Sequence, residues 1–171
     1  MLRVRRALVL SAAFFVAFCA NFSVPATARE VVHYNGESAG TIVIKTSERR
    51  LYYVMGDGRA IRYPVGVGKA GKQWGGRTYI DGKHLQPAWS PPADVKRDKP
   101  SLPNLIAGGS PRNPMGAAAL TLNGGEYAIH GTNRPGSVGG FVSYGCIRMY
   151  NSDIVDLYGR VSVGTPVVVA R

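Results

Sequence analysis

The chain has 171 residues, the size of one domain with a sizeable core rather than of several. Its 21 basic and 10 acidic residues give a formal net charge of +11. Such a balance raises nucleic acid as a partner, but the lysines and arginines are scattered rather than bunched, which argues against a nucleic-acid groove.

The N-terminus carries Arg3, Arg5 and Arg6, then an apolar run from Ala7 to Ala20, then Ala26-Thr27-Ala28. A basic region, an apolar core and an A-x-A site form the layout of a secretory signal peptide, with cleavage expected after Ala28. The apolar core is about 14 residues long, short of the ~20 that a spanning helix needs. Phe18 is too bulky beside Cys19 for lipoprotein cleavage. Residues 1–28 are therefore expected to be removed, leaving no stable membrane insertion and a mature net charge of +8. An exported protein rarely meets nucleic acid, so an anionic wall polymer, a membrane surface or plain solubility fits the charge better, and charge alone does not choose among them. Cleavage also removes Cys19 and leaves Cys146 as the one cysteine. An odd cysteine in an exported protein points to an intermolecular bond or a reactive thiol, with a buried inert residue as the alternative.

Residues 29–39 read as a lead segment and 40–171 as the domain. Thr41 to Lys45 and Arg50 to Met55 are rich in β-branched and aromatic residues and read as strands. Gly56-Asp57-Gly58 makes the turn between the second of these and a return strand over Ala60 to Val67, where Pro64 marks an edge or a break. Residues 69–116 read as a long irregular, Pro-rich stretch of the kind that forms a lid or a binding wall, with Trp74 and Trp89 in it. Two further strands are expected, Ala117 to Leu122 and Glu126 to His130, turning at Asn123-Gly124-Gly125. A Gly-rich link leads to one short helix over Asn151 to Tyr158, capped by Asn151 or Ser152 and ended by Gly159 and Gly164. Pro166 to Ala170 closes the chain as a strand. The expected architecture is mainly β with one short C-terminal helix.

The chemistry gathers between Ile129 and Tyr150. A thiol attacks carbonyls as thiolate, so a catalytic Cys146 needs a neighbouring base or cation to lower its pKa. Of the three histidines, His33 lies near the new N-terminus and His84 in the Pro-rich region. Only His130 ends a strand, sixteen residues before Cys146. That spacing alone is weak evidence, and His130 read by itself is equally a hydrogen-bonded strand end. Gly145 would let a substrate backbone approach the sulfur, and the amides of Tyr144, Gly145 and Cys146 are candidate oxyanion donors. Arg148 is a cation able to grip a substrate carboxylate, or else a surface charge. Ser143 and Trp74 are further candidates for substrate binding.

His130-Gly-Thr-Asn, the sixteen-residue step and Ser143-x-Gly145-Cys146-Ile-Arg148-Met together resemble the signature of L,D-transpeptidase catalytic domains of the YkuD type, the ErfK-like subgroup above all. Pro64-Val-Gly-Val-Gly68, Asn113-Pro-Met-Gly116, Asp153-x-x-x-Leu157-Tyr158 and Gly164-Thr-Pro-Val167 extend the resemblance over nearly all of residues 40–170. Many relatives carry His where this chain has Tyr144. The resemblance implies a β-sandwich-like domain with its site in a cleft between loops. Cys146 would be the nucleophile, His130 the general base and later acid, and the Gly131 carbonyl the group that orients the imidazole. The substrates implied are peptidoglycan stem peptides, cut between diaminopimelate and the terminal D-Ala through a thioester. The acceptor would be a diaminopimelate amine or an amine of an outer-membrane protein, in the periplasm. Neither a cofactor nor a metal is implied, and carbapenems are the implied inhibitors. Hydrolysis of the same thioester, a non-catalytic wall-binding module and, more distantly, a papain-like peptidase are the competing readings.

Overall fold

The structure is a computed structural model that describes residues 29–171. The expected signal peptide lies outside the described residues. Among the described residues there are eleven strands and two α-helices: β1 Glu30–His33, β2 Ile42–Lys45, β3 Arg50–Gly56, β4 Arg59–Pro64, β5 Val67–Gly68, β6 Gly76–Leu85, α1 Ala93–Asp98, β7 Ala118–Leu122, β8 Ala128–His130, β9 Phe141–Ser143, β10 Ile147–Arg148, α2 Asn151–Arg160 and β11 Pro166–Ala170. Nine strands join in the order β1-β4-β3-β2-β11-β6-β7-β8-β10, and β5 pairs with β9 separately.

The sandwich-like shape depends on β6. Its first half, Gly76 to Tyr79, pairs with β11, and its second half, Ile80 to Leu85, pairs with β7. The register shifts between Ile80 and Gly82, a bulge that bends a strand and strengthens its twist. One strand thus belongs to two half-sheets. Ile42, Ile44, Leu51 and Tyr63 from one half share a single core with Leu120, Leu122 and Ile129 from the other. Helix α2 packs on β7 and β8 and adds Ile154 and Leu157, both fully buried, to the same core.

The mainly β architecture is as expected; several elements within it are not. The stretch 69–116 is not irregular throughout, because it contains the ten-residue β6. That strand reads GRTYIDGKHL and buries only Ile80 completely, so hydrophobic periodicity gives no sign of it. A second helix, α1, lies in the same stretch and buries no residue. The lead segment holds β1, which pairs antiparallel with β4. The strand expected over 60–67 divides at Pro64, which lacks the N–H to continue a ladder, and Val67–Gly68 pairs with β9 instead. In α2 the cap position belongs to Tyr150, with no side-chain cap bond, and the helix runs through Gly159 to Arg160.

The remainder of the long stretch is fixed by a buried side chain. Asn113 is 2% exposed, and its Nδ2 donates to the carbonyls of Pro87, Ala107 and Ile106 at 2.8, 3.1 and 3.3 Å. Its Oδ1 accepts from Met115 N–H at 2.9 Å. Trp89 and Ile106 exchange backbone hydrogen bonds of 2.9 and 2.8 Å alongside. Asn113→Ala leaves these buried carbonyls without a donor and is expected to cost about 1–3 kcal/mol in denaturant unfolding. Amide exchange at Trp89 and Ile106 should speed up by about tenfold or more as the stretch loosens. Unchanged exchange there would mean that the loop is held elsewhere.

Candidate active site

Strand β10 lies parallel to β8, with Ile147 opposite Ile129 and Arg148 opposite His130. Both isoleucines point into the core, at 1% and 0% exposure. Side chains alternate along strands, so Cys146, Arg148, Ala128 and His130 all face the other side. There Cys146, Arg148 and His130 line one cavity of about 200 Å³, together with Pro114, Met115, Glu126, Tyr127, Ser143 and Tyr144. Trp89 and residues Pro92 to Val95, at the start of α1, form the opposite wall. The sixteen-residue step thus closes into one site.

His130 is 4% exposed, and its Nδ1 lies 2.6 Å from the Gly131 carbonyl oxygen. A carbonyl only accepts, so Nδ1 carries the proton and Nε2 keeps a lone pair. Burial, with the nearby Arg148 charge, pulls the His130 pKa down to about 4, against the carbonyls of Gly131 and Pro114. Burial also pushes the Cys146 thiol up; the Ala128 backbone and Arg148 pull the other way but do not prevail. The resting site therefore holds a neutral thiol and a neutral imidazole. The lowered thiol pKa expected from a neighbouring base is not what this environment produces, because desolvation of both groups outweighs the one cation nearby.

Arg148 is half-buried, forms no salt bridge, and its Nε has no hydrogen-bond partner among the described residues. Burial lowers its pKa as well. An uncompensated cation on a pocket wall is costly in isolation and well placed for an anion.

Three of the expected roles are corrected by the geometry. The Ser143 hydroxyl donates to the Cys146 carbonyl at 2.6 Å and accepts the Gly145 N–H at 3.1 Å, so Ser143 staples the Cys146 loop. The Gly145 amide is thereby committed and is not an oxyanion donor. The Tyr144 and Cys146 amides donate to no protein acceptor among the described residues. Trp74 does not line the Cys146 cavity. Its Nε1 donates to the Gly145 carbonyl at 2.9 Å, and its ring stacks on Tyr127 with centroids 4.9 Å apart. The need for glycine at 145 follows from this. Its φ is +127°, and a Cβ there would lie 2.7 Å from Cδ1 of Tyr127, closer to the ring than any real contact allows.

Sequence reasoning missed Tyr127, the start of α1 and Asn151. Tyr127 sits just before the strand of His130, and only the positive φ at Gly145 hints that a ring lies beneath it. Nothing local marks residues 92–95. Asn151 reads as a helix cap, but its Oδ1 instead accepts from Ala117 N–H at 3.1 Å and Thr132 N–H at 3.0 Å.

The family model of the YkuD L,D-transpeptidase catalytic domain matches residues 39–169, and the chain belongs to that family. It is 40% identical over 135 residues to the probable L,D-transpeptidase ErfK/SrfK of Escherichia coli K12. That match covers 74% of this chain but only 42% of the relative, which is the longer protein. A solved structure from Brucella melitensis, titled a probable carnitine operon oxidoreductase, is 38% identical at a TM-score of 0.57, covering 82% of this chain and 92% of that one. L,D-transpeptidase 3 of Mycobacterium tuberculosis, solved with a faropenem-derived adduct, has a TM-score of 0.60 at 15% identity, covering 77% and 60%, and shares the fold.

The buried imidazole carries a pH signature. The unfolded chain protonates this group near pH 6.5, the folded chain only near pH 4, so acid favours unfolding across that window. The contribution is fully present above pH 6.5 and is lost as pH falls towards 4, on the order of 3 kcal/mol. His130→Gln should flatten the stability profile between pH 6.5 and 4 relative to wild type. Parallel profiles for the two proteins would place the imidazole in water.

Proposed function

We propose that this chain is an exported L,D-transpeptidase acting on peptidoglycan tetrapeptide stems. Residues 1–28 are its signal peptide, 29–39 a lead segment and 40–171 the catalytic domain, working in the periplasm. The observation that carries the reading is the single cavity holding Cys146, a His130 whose Nε2 is free to accept a proton, and the unpaired Arg148.

With both groups neutral at rest, proton transfer accompanies attack. The Cys146 sulfur adds to the carbonyl between diaminopimelate and D-Ala while its proton passes to His130 Nε2. The oxyanion meets the amides of Tyr144 and Cys146. The C–N bond then breaks, His130 protonates the departing D-Ala amine, and a thioester remains. An acceptor amine adds to that thioester, His130 takes its proton, and cleavage of the C–S bond returns the thiol. The acceptor is a diaminopimelate amine, giving a cross-link, or an amine of an outer-membrane protein, giving covalent anchoring. Arg148 holds a stem carboxylate and so sets the scissile carbonyl over the sulfur.

Incubation with disaccharide-tetrapeptide, followed by mass spectrometry, tests the reading. Release of D-Ala with a new amide-linked dimer is expected, and Cys146→Ser should abolish it, along with covalent labelling by a carbapenem. D-Ala release without a new amide would make the protein a hydrolase. Full activity in Cys146→Ser would remove the thioester mechanism.

Arg148→Ala should lower kcat/KM for a free-carboxylate stem by about ten- to a hundredfold, the worth of a charge-assisted pair of roughly 1.5–3 kcal/mol. An amidated stem should lose much less. Arg148→Lys should restore only part of the loss, because an ammonium lacks the planar fork. Equal losses for both stems would assign Arg148 to bracing the loop.

A further inference from the structure

We infer that Asn151 is the positioning residue for the base, acting on His130 through a single peptide unit. The unit in question joins Gly131 to Thr132. Its carbonyl oxygen takes the His130 Nδ1 proton at 2.6 Å, and its N–H donates to Asn151 Oδ1 at 3.0 Å. A trans peptide is planar, with C=O and N–H pointing in opposite directions, so fixing the N–H fixes the carbonyl. Asn151 therefore grips the far end of the group that orients the imidazole.

The grip is built to be rigid. The same Oδ1 also accepts the Ala117 N–H at 3.1 Å, so one oxygen ties the start of α2 to the segment entering β7 and the segment leaving β8. A Cβ at either Gly116 or Gly131 would run into that oxygen. Asn151 is the first residue of α2, one place past the Tyr150 cap position, and its Oδ1 bonds outside the helix. Asn151 is an exposed residue, yet its two bonds span 34 and 19 positions of sequence. Burial does not explain them.

The chemical consequence concerns the tautomer. Hydrogen bonds in a chain polarise one another. The acceptor on Thr132 N–H shifts electron density towards the Gly131 oxygen and strengthens its hold on the Nδ1 proton. The Nε2 lone pair then stays on the side of the ring that serves as base. This use of the lone pair rests on the function proposed above; the tautomer itself does not.

The test uses the purified chain with ¹⁵N-labelled histidine. In wild type at pH 7, the His130 ring nitrogens should report the Nδ1–H form. Asn151→Leu keeps the volume without the acceptor. It should yield a mixture of tautomers and a fall in kcat/KM of at least about tenfold, within the ~10⁴-fold that a wrong tautomer can cost. Asn151→Asp keeps both acceptor bonds and adds charge. It should restore the Nδ1–H form and move the acid limb of the kcat/KM profile to higher pH. A folded Asn151→Leu with an unchanged tautomer overturns the inference. If that variant does not fold, an acid limb unmoved by Asn151→Asp overturns it instead. Loss of the tautomer in Asn151→Leu, from a wild type that releases no D-Ala, would uphold the positioning role and reject the proposed function.

Discussion

Two residues of parallel pairing decide where the chemistry of this domain sits. Ile147 and Ile129 lie opposite each other and fill the core, which forces their neighbours Cys146, Arg148, Ala128 and His130 to the cavity side. A slip of one residue would turn the isoleucines to the cavity and bury the thiol and the guanidinium in hydrocarbon. So short a strand needs support from outside the pair. Arg148 exchanges two backbone bonds of 2.8 Å with Gly66, and the Met149 N–H donates to the His130 carbonyl at 2.8 Å. Strand β10 is thus held from both edges. The hydrophobic pattern and the ladder agree on a single register, and the Cys–His juxtaposition follows from it.

Placing the pair there has an electrostatic cost that the fold leaves uncompensated. Burial disfavours charge on His130 and Cys146, and the unpaired Arg148 opposes protonation of His130 further. On the proposed function, this tension resolves when substrate arrives. A stem carboxylate at Arg148 cancels the cation's field on the imidazole just as His130 must take a proton. The low dielectric of the cavity wall makes that cancellation larger than it would be in water. Binding of the anionic donor and activation of the base would then be one event, and a neutral alkylator would gain nothing from it.

The site was more legible in the sequence than the fold around it. Cys146, His130 and Arg148 stand in a short motif whose glycines and spacing mark it, and the cavity unites all three. The strands from Ile42 to Pro64 and from Ala118 to His130 could be read because they are short apolar, β-branched and aromatic runs set off by Gly-rich turns. Strand β6 could not, because pairing on both edges, rather than hydrophobic burial, makes it a strand. Helix α1 buries nothing and is held by polar contacts, among them Lys72 with Asp94 and Lys69 with Asp98, which no periodicity records. Sequence shows which residues lie near Cys146 but not which way they point, so Ser143 and Trp74 read as substrate binders and the Gly145 amide as an oxyanion donor. In the fold they hold the loop.

That scaffolding leaves the side chain of Tyr144 out of the contacts that hold the loop. The backbone around Cys146 is fixed from below by contacts that do not involve the side chain at 144. Ser143 bonds both Gly145 and Cys146, Trp74 bonds the Gly145 carbonyl, and Tyr127 fills the space under Gly145. The side chain at 144 is free to do something else. Its hydroxyl donates to Asp98 at 2.6 Å, and Lys69 Nζ lies 4.0 Å from the ring centroid while pairing with the same aspartate at 3.6 Å. Asp98 is held below the usual carboxylate range, chiefly by the bond from Tyr144. A histidine at this position is shorter and has no phenol to reach the end of α1. Tyr144 therefore ties the Cys146 loop to the cavity wall at α1 without entering the contacts that fix its backbone.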